Sequence, residues 1–288
     1  MDDLKGKRVD SEAKISGFLR HVRTCNNALL PGERLVFRLG DVQVGWVKPR
    51  LAEALAAFPE VVADRAGVSL RDPAALARIA RTLSQQGQYR WRNEAFDVRA
   101  VRDGPVMAQI DRGALPSFGV FAVGAHLNGL VHRPDGLHLW IARRAENKAL
   151  DPGKLDHITA GGVPAGLTPW QTLIKEAEEE AAIPPSLASQ ARPVATIAYS
   201  MERAEGLRRD TIHCYDLDLP DSFEPRAADG EVAGFELRPL AEVVAIVRDT
   251  DAFKFNVNLV LIDLFLRQGL IAGPQAAELR AALDAGRV

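Results

Sequence analysis

The stretch AGGVPAGLTPWQTLIKEAEEEAAIP, residues 160 to 184, constrains this chain more than any other. A glycine-rich loop runs into Thr168–Pro169, and Gln171 follows three residues after the threonine. Threonine caps a helix, proline suits its first turn, and glutamine can bond back to the cap, so a helix starts here. Pro184–Pro185 ends it. Leu173, Ala177 and Ala181 recur at four-residue spacing and form a stripe that can pack on a sheet. Glu176, Glu179 and Glu180 share the opposite-leaning face, while Glu178 points elsewhere and reads as a solvated acid.

Three carboxylates on one face repel one another, so each resists ionising unless a cation sits among them. An oxygen-only set suits a hard ion, and magnesium bound alongside substrate phosphates is the usual case, with manganese as a substitute. Glycines ahead of the helix let the backbone approach an ion or a phosphate, because no side chain stands in the way. A solvated, glutamate-rich helix face would account for the acids. It would not account for the glycine loop and the cap in front of them.

With 288 residues, the chain can hold one large domain or two small ones. Hydrophobic residues make up 47%, enough for a sizeable core. A net charge of −2 gives no electrostatic case for a nucleic-acid polymer or an anionic membrane. Cys25 and Cys214 lie far apart and match no metal spacing, so a reducing compartment and a cytoplasmic location are expected. The start, MDDLKGKRVDSEAK, lacks the apolar core of a signal peptide, and VNLVLIDLFL is too short to span a bilayer.

The chain reads in three parts. In the first, SEAKISGFLRHVRTC is a helix capped by Ser11, and RLVFRLG and VQVGWV form a hairpin around Gly40–Asp41. PRLAEALAAF and PAALARIARTLSQQG are helices, and MAQIDRGALPSFG reads as a linker or entry segment. From Phe118, longer strands take over: GVFAVGAHLNGLVH, a turn at RPDG, LHLWIARRA, then RPVATIAYSM, DTIHCYDLDL and VAGFELRPL beyond the acidic helix. The last part, from about Pro239, is helical. The expected class is α/β (α+β), with an accessory α/β domain over 1–115 and a mixed-sheet domain with C-terminal helices over 116–288.

The glycine loop and helix resemble the Nudix box of Nudix hydrolases. That signature runs Gly, five residues, Glu, seven residues, then Arg-Glu-apolar-any-Glu-Glu-any-Gly-apolar. Counted from Gly161, its closing part falls on Lys175 through Ile183, with Glu176, Glu179 and Glu180 at the metal-binding positions. Leu167 stands at the first Glu position, Lys175 replaces Arg, and Ala182 replaces the closing Gly. In the family the first Glu and the Arg brace loop against helix, so losing both leaves neither unpaired. Ala182 would cost roughly 1 kcal/mol if its position is left-handed. The likeness extends to CNNALLPGERLVFRLGDVQVGWVKP, ARRAENKALDPGKLDHITAGG and FKFNVNLVLIDLFLRQGLI, which are similar to a Nudix branch with an extra amino-terminal domain. Some relatives of that branch are fused to thiamine pyrophosphokinase.

The resemblance implies an α/β/α sandwich that cleaves a small-molecule diphosphate with Mg2+ or Mn2+ held by Glu176, Glu179, Glu180 and the Gly161 carbonyl. For the branch, it implies diphosphates of thiamine-like compounds, damaged ones especially. One of these acids, or Glu231 before a later strand, would accept the proton of the attacking water; Asp229 is the other acid of that turn. Arg143, Arg144 and Lys148 before the box, and Arg208 and Arg209 after it, are candidate diphosphate ligands. His157 reads as a hydrogen-bonded structural histidine, and Trp46, Trp91, Trp140 and Trp170 as packing residues. A homodimer stays open. So do two other readings: a Nudix diphosphatase for ADP-ribose, NADH or nucleotides, and a non-catalytic ligand-binding module.

Overall fold

Helix α1, Glu12–Cys25, turns Ile15, Phe18, Leu19 and Val22 onto one buried stripe. The computed structural model describes residues 12–227 and 230–286, so the Ser11 cap and Asp229 lie outside the described residues. The hairpin around Gly40 forms as β1 (Leu35–Leu39) and β2 (Val42–Val47). Helix α2 (Pro49–Leu55), strands β3 (Val61–Asp64) and β4 (Gly67–Leu70), a 3-10 turn over Pro73–Ala75 and helix α3 (Leu76–Gln85) follow. The sheet order is β2-β1-β4-β3, with β1 and β4 parallel.

The segment expected to be a linker is instead built into this unit. Strand β5 (Ala95–Val98) pairs with β6 (Ala108–Asp111), and α4 spans Leu115–Phe118. Phe96, Ile110, Ala114 and Phe118 are buried in one core with Phe37, Leu76 and Ile79. Buried Asp111 accepts the backbone N–H groups of Arg92, Glu94 and Gly113 at 2.8–3.1 Å, which fixes the turn after β6. Glycine and proline marked turns here correctly; the apolar residues between them were too few to show a period.

The second unit is a seven-stranded mixed sheet. It is built from β7 (Phe121–Arg133), β8 (Gly136–Arg144), β9 (Leu155–His157), β10 (Thr159–Gly162), β11 (Arg192–Arg203), β12 (Gly206–Asp218) and β13 (Val232–Pro239). The main path is β11-β12-β7-β8-β13, with β10 on β7 and β9 on β8; β12 and β7 run parallel. Helices α5 (Pro169–Ala181) and α6 (Pro185–Ala188) cover one face. Helices α7 (Leu240–Asp249), α8 (Val257–Arg267) and α9 (Pro274–Ala285) cover the other. Successive β12 residues alternate between the two cores, Cys214 on the α8 side and Tyr215 on the α5 side, as a strand's period of two requires. This is the expected α/β/α sandwich.

One element crosses the expected domain division. Helix α1 comes first in the chain, yet its buried face joins α7, α8 and α9, with Phe18 edge-on to Phe265 at 6.3 Å between centroids. Order along the chain therefore does not sort the side chains into cores. Both cysteines are buried and free, and among the described residues no helix is long and apolar enough to cross a membrane.

Phe18 is fully buried, so Phe18→Ala should destabilise the protein by about 3–5 kcal/mol through lost transfer and a cavity. Denaturant titration measures it. A loss well under about 1 kcal/mol would mean that α1 is dispensable to the second unit's core.

Candidate functional site

The acidic helix starts and stops as its sequence dictates. Thr168 Oγ1 accepts the Gln171 N–H at 3.2 Å, and Gln171 Oε1 accepts the Thr168 N–H at 2.9 Å, closing a capping box ahead of Pro169. At the other end Ala182 is left-handed, with φ 55°, and the Ile183 N–H reaches the Ala177 carbonyl at 3.0 Å. That bond and the burial of Ile183 hold a conformation in which a Cβ is disfavoured. Leu173, Ala177 and Ala181 are buried on the sheet, and Glu178 is exposed.

The three acids share a region but their carboxylates do not converge. Glu180 is buried against β10, where its Oε2 accepts Thr159 Oγ1 at 2.7 Å and the Ala160 N–H at 2.9 Å. Burial pushes its pKa up to about 7 despite both bonds. Glu176 is partly buried and lies on Gly161: a Cβ there would sit 2.5 Å from Glu176 Cγ. Its pKa is raised by burial first, with Lys175 opposing and the charges of Glu179 and Glu231 adding to the rise. Glu179 is exposed and accepts from Lys175, whose ammonium also stands 3.7 Å from Glu176. Lys175 therefore sits among the acids as their internal counter-ion. Among the described residues, no three acid, histidine or cysteine side chains close around a metal position in this arrangement. The reason is local: Glu180 is tied to β10 and Glu179 to Lys175.

The expected cations fare unevenly. Arg144 is spent on structure, bonding Asp156 at 2.7 Å and the carbonyls of Leu150 and Asp151 at 2.7 and 3.0 Å. Arg143 is half-exposed and engages Glu236 and the Gly153 carbonyl. Arg209 Cζ lies over Phe121, 3.8 Å from the ring centroid, and the side chain donates to the Gly119 carbonyl; burial lowers its pKa to about 10. Lys148 bonds Glu231. Burial opposes ionisation of Glu231, but the Lys148 bond and the charges of Arg112 and Arg144 hold its carboxyl below the ordinary range. In this pairing Glu231 is a poor proton acceptor. Arg208, shared between Glu205 and Asp210 at 3.1 Å, is the member of the set that lines the main cleft.

That cleft lies at the seam of the two units. It encloses about 110 Å³ before opening to solvent, and Gly161 and Gly162 form part of its wall. A Cβ on Gly162 would come within 2.7 Å of the Phe96 ring and 3.7 Å of Arg112 Cζ. The two adjacent glycines thus face opposite ways, one onto the acidic helix and one onto the N-terminal unit. Arg112, Lys254 and Asn256 also line the cleft. Sequence reading missed all three. Arg112 was hidden in the supposed linker. The stretch FKFN was visible only as part of a broader likeness, since nothing local signals that a lysine before a helix returns to the seam. A larger cavity of about 390 Å³ lies behind α1, but its Arg20 and Arg203 are paired with Asp251 and Asp151, and it does not touch the glycine loop.

Beneath β10 lies a buried histidine pair, His126 Nδ1 and His157 Nδ1 at 3.0 Å. Burial disfavours the charged form of both: it lowers the His157 pKa to about 4 and holds that of His126 well below the ordinary histidine value. His157 is thus structural, as expected. Trp46, Trp91 and Trp140 are partly buried, while Trp170 is the most exposed of the four, tilted against Tyr215.

Comparison with known proteins places these features in context. A model described as NUDIX domain matches residues 125–258, and one described as Domain of unknown function (DUF4743) matches residues 17–122. The chain is 34% identical to Nudix hydrolase 20, chloroplastic, of Arabidopsis thaliana, over 92% of this chain and 76% of that protein. It is 35% identical to Nudix hydrolase 24, chloroplastic, of the same plant, over 91% and 75%. The solved Nudix domain of Shewanella oneidensis NrtR, complexed with ADP ribose, aligns over 53% of this chain and 91% of its own with a TM-score of 0.43 and 14% identity.

Two outcomes test the local physics. Ala182→Gly should stabilise the protein by roughly 0.5–1 kcal/mol, because relief of the left-handed strain outweighs the added freedom of the unfolded chain; a loss in a denaturant melt would show that the alanine methyl packs productively. Glu180 has a folded pKa above its unfolded value, so the native state binds the proton more tightly and stability falls as pH rises from about 4.5 through about 7. Metal-free Glu180→Gln keeps the accepting oxygen without the charge. It should melt higher than wild type at pH 8 by the equivalent of about 1–3 kcal/mol and match it only near pH 4, below the unfolded pKa. Equal differences at both pH values would mean that Glu180 does not carry the penalty.

Proposed function

Because the chain belongs to the Nudix hydrolase family, we propose that it hydrolyses a small-molecule diphosphate at the junction of the glycine loop, the acidic helix and the seam cleft. The observation that carries this reading is Glu176 lying directly on Gly161 beside a cleft lined with arginine and lysine. A diphosphate needs cations along its oxygens and an all-oxygen site for the divalent ion that travels with it.

The donor chemistry suits such an ion, although Glu179 would have to leave Lys175 and Glu180 its bonds to β10 before three carboxylates could share one. Glu176, Glu179 and Glu180, with the Gly161 carbonyl, offer oxygen donors alone, and burial leaves Glu176 and Glu180 short of countercharge. Magnesium, with manganese as a substitute, would supply Lewis-acid polarisation of the diphosphate and acidify a water. Lys175 holds Glu179 in the free protein and would give it up when a divalent cation arrives. The proton of the attacking water passes to one of the helix acids rather than to Glu231, which Lys148 holds ionised and weakly basic. Water attacks one phosphorus, the bridging P–O bond breaks, and the products are a monophosphate and either phosphate or a second monophosphate.

We extend the proposal to the leaving group: diphosphates of thiamine-like compounds, with a damaged, neutral ring preferred over the intact cation. The ring class rests on the likeness to the Nudix branch related to thiamine pyrophosphokinase fusions. The charge preference has physical support in the cleft. Arg112, Arg208 and Lys254 face one lining acid, Asp210, which already accepts from Arg208 and Tyr199. A cationic ring would leave water for a wall of like charge, at a high desolvation cost.

The test compares kcat/KM for oxothiamine diphosphate, thiamine diphosphate and ADP-ribose at one magnesium concentration. The neutral ring should lead by about tenfold or more. If ADP-ribose leads by that margin, the thiamine reading fails and the diphosphatase survives. Binding without turnover of any diphosphate would identify a ligand-binding module instead. Glu179→Gln should cut turnover by about a hundredfold or more while folding normally; a variant as active as wild type would remove Glu179 from the site.

A further inference from the structure

We propose that Arg112, carried by the N-terminal unit, is a diphosphate-binding residue that rests on Glu94 in the free protein and moves to the substrate when it binds. This rests on the reading of the site as a diphosphate site, and it makes the N-terminal unit part of that site rather than an appendage.

The backbone at Arg112 is held by several hydrogen bonds, while its side chain is only lightly held. Asp111 clamps the turn through three N–H groups, and the Arg112 N–H itself bonds the Glu94 carbonyl at 2.8 Å. The side chain, by contrast, is 51% exposed and is held by an ion pair from Nη1 to Glu94 Oε2 at 2.8 Å, itself solvent-accessible. Exposed pairs of this kind contribute little, so exchange for a more highly charged partner is easy. A guanidinium bound to two phosphate oxygens is among the stronger charge-assisted arrangements available.

Position supplies the second argument. The guanidinium carbon would lie 3.7 Å from a Cβ on Gly162, next in chain to the Gly161 that carries Glu176. Arg112 lines the cleft together with Lys254 and Gly161, and its charge acts on both Glu176 and Glu231. Its distance from the Phe96 centroid, 5.8 Å, keeps it on the ring that forms the cleft wall. The other cations nearby are more firmly committed: Arg144 to three bonds, Arg208 to two acids, Lys254 to buried Asp156.

The experiment uses the full chain with magnesium and imidodiphosphate, which keeps the charge of a diphosphate but resists cleavage. Calorimetry would compare wild type with Arg112→Ala, Arg112→Lys and Glu94→Gln, each checked by thermal melt. Arg112→Ala should weaken binding by about ten- to a hundredfold, Arg112→Lys by less, and added guanidinium should restore part of the loss in the alanine variant. Glu94→Gln releases the arginine and should tighten binding. A structural ion pair would show the opposite pattern: Glu94→Gln neutral or weaker, and no guanidinium rescue. If wild type binds imidodiphosphate while Arg112→Ala binds it equally well, the role of Arg112 is overturned alone. If wild type does not bind it with magnesium, the diphosphate reading falls and this inference falls with it.

Discussion

Two adjacent residues without side chains, Gly161 and Gly162 on β10, let everything else in the site come together. A strand turns successive residues to opposite sides, so one glycine meets Glu176 and the other meets Phe96 and Arg112. Any Cβ at either position would overlap a neighbour at 2.5–2.7 Å. The helix acids and the N-terminal unit therefore approach the same strip of backbone from two sides. Remove that strip's slimness and the acidic patch and the seam cleft become separate features.

The approach has an electrostatic consequence. Glu180 is buried and Glu176 partly so, with few countercharges, and both hold their protons more tightly than a solvated glutamate. Lys175 relieves part of this from within the helix. A side chain one residue before Glu176 and four before Glu179 reaches both, as helical spacing allows. Lys175 therefore balances charge within the acidic helix itself.

The second dependence is between the units. α1 closes the core over α7, α8 and α9, while Phe96 of β5, Arg112 and the start of α4 line the cleft. The N-terminal segment is divided between two tasks, one of packing and one of lining the site. That division explains why Asp111 spends a buried carboxylate on three backbone N–H groups: the turn it fixes carries Arg112.

Local chemistry made part of this legible in one dimension. The cap at Thr168, the left-handed stop at Ala182, the inward stripe of α5, the hairpin at Gly40 and the turn between β7 and β8 all depend on residues within a few positions of one another. The acids of α5 belong to the same class, since helical spacing alone puts them in one region. Which carboxylate is buried, which is exposed and which lysine answers them depended on β10 arriving beside the helix. The cations show the limit most clearly. Charge and nearness in sequence pointed to Arg143, Arg144, Lys148, Arg208 and Arg209, yet Arg144 and Arg209 were taken up by packing, and Arg112 and Lys254 reached the cleft from segments about 50 residues before and 90 after the glycines. Sequence by itself determined the local elements and the donor types, because those follow from neighbours along the chain. Tertiary structure alone decided which charges share a cleft, because that depends on which distant backbones can approach a strand with no side chains in the way.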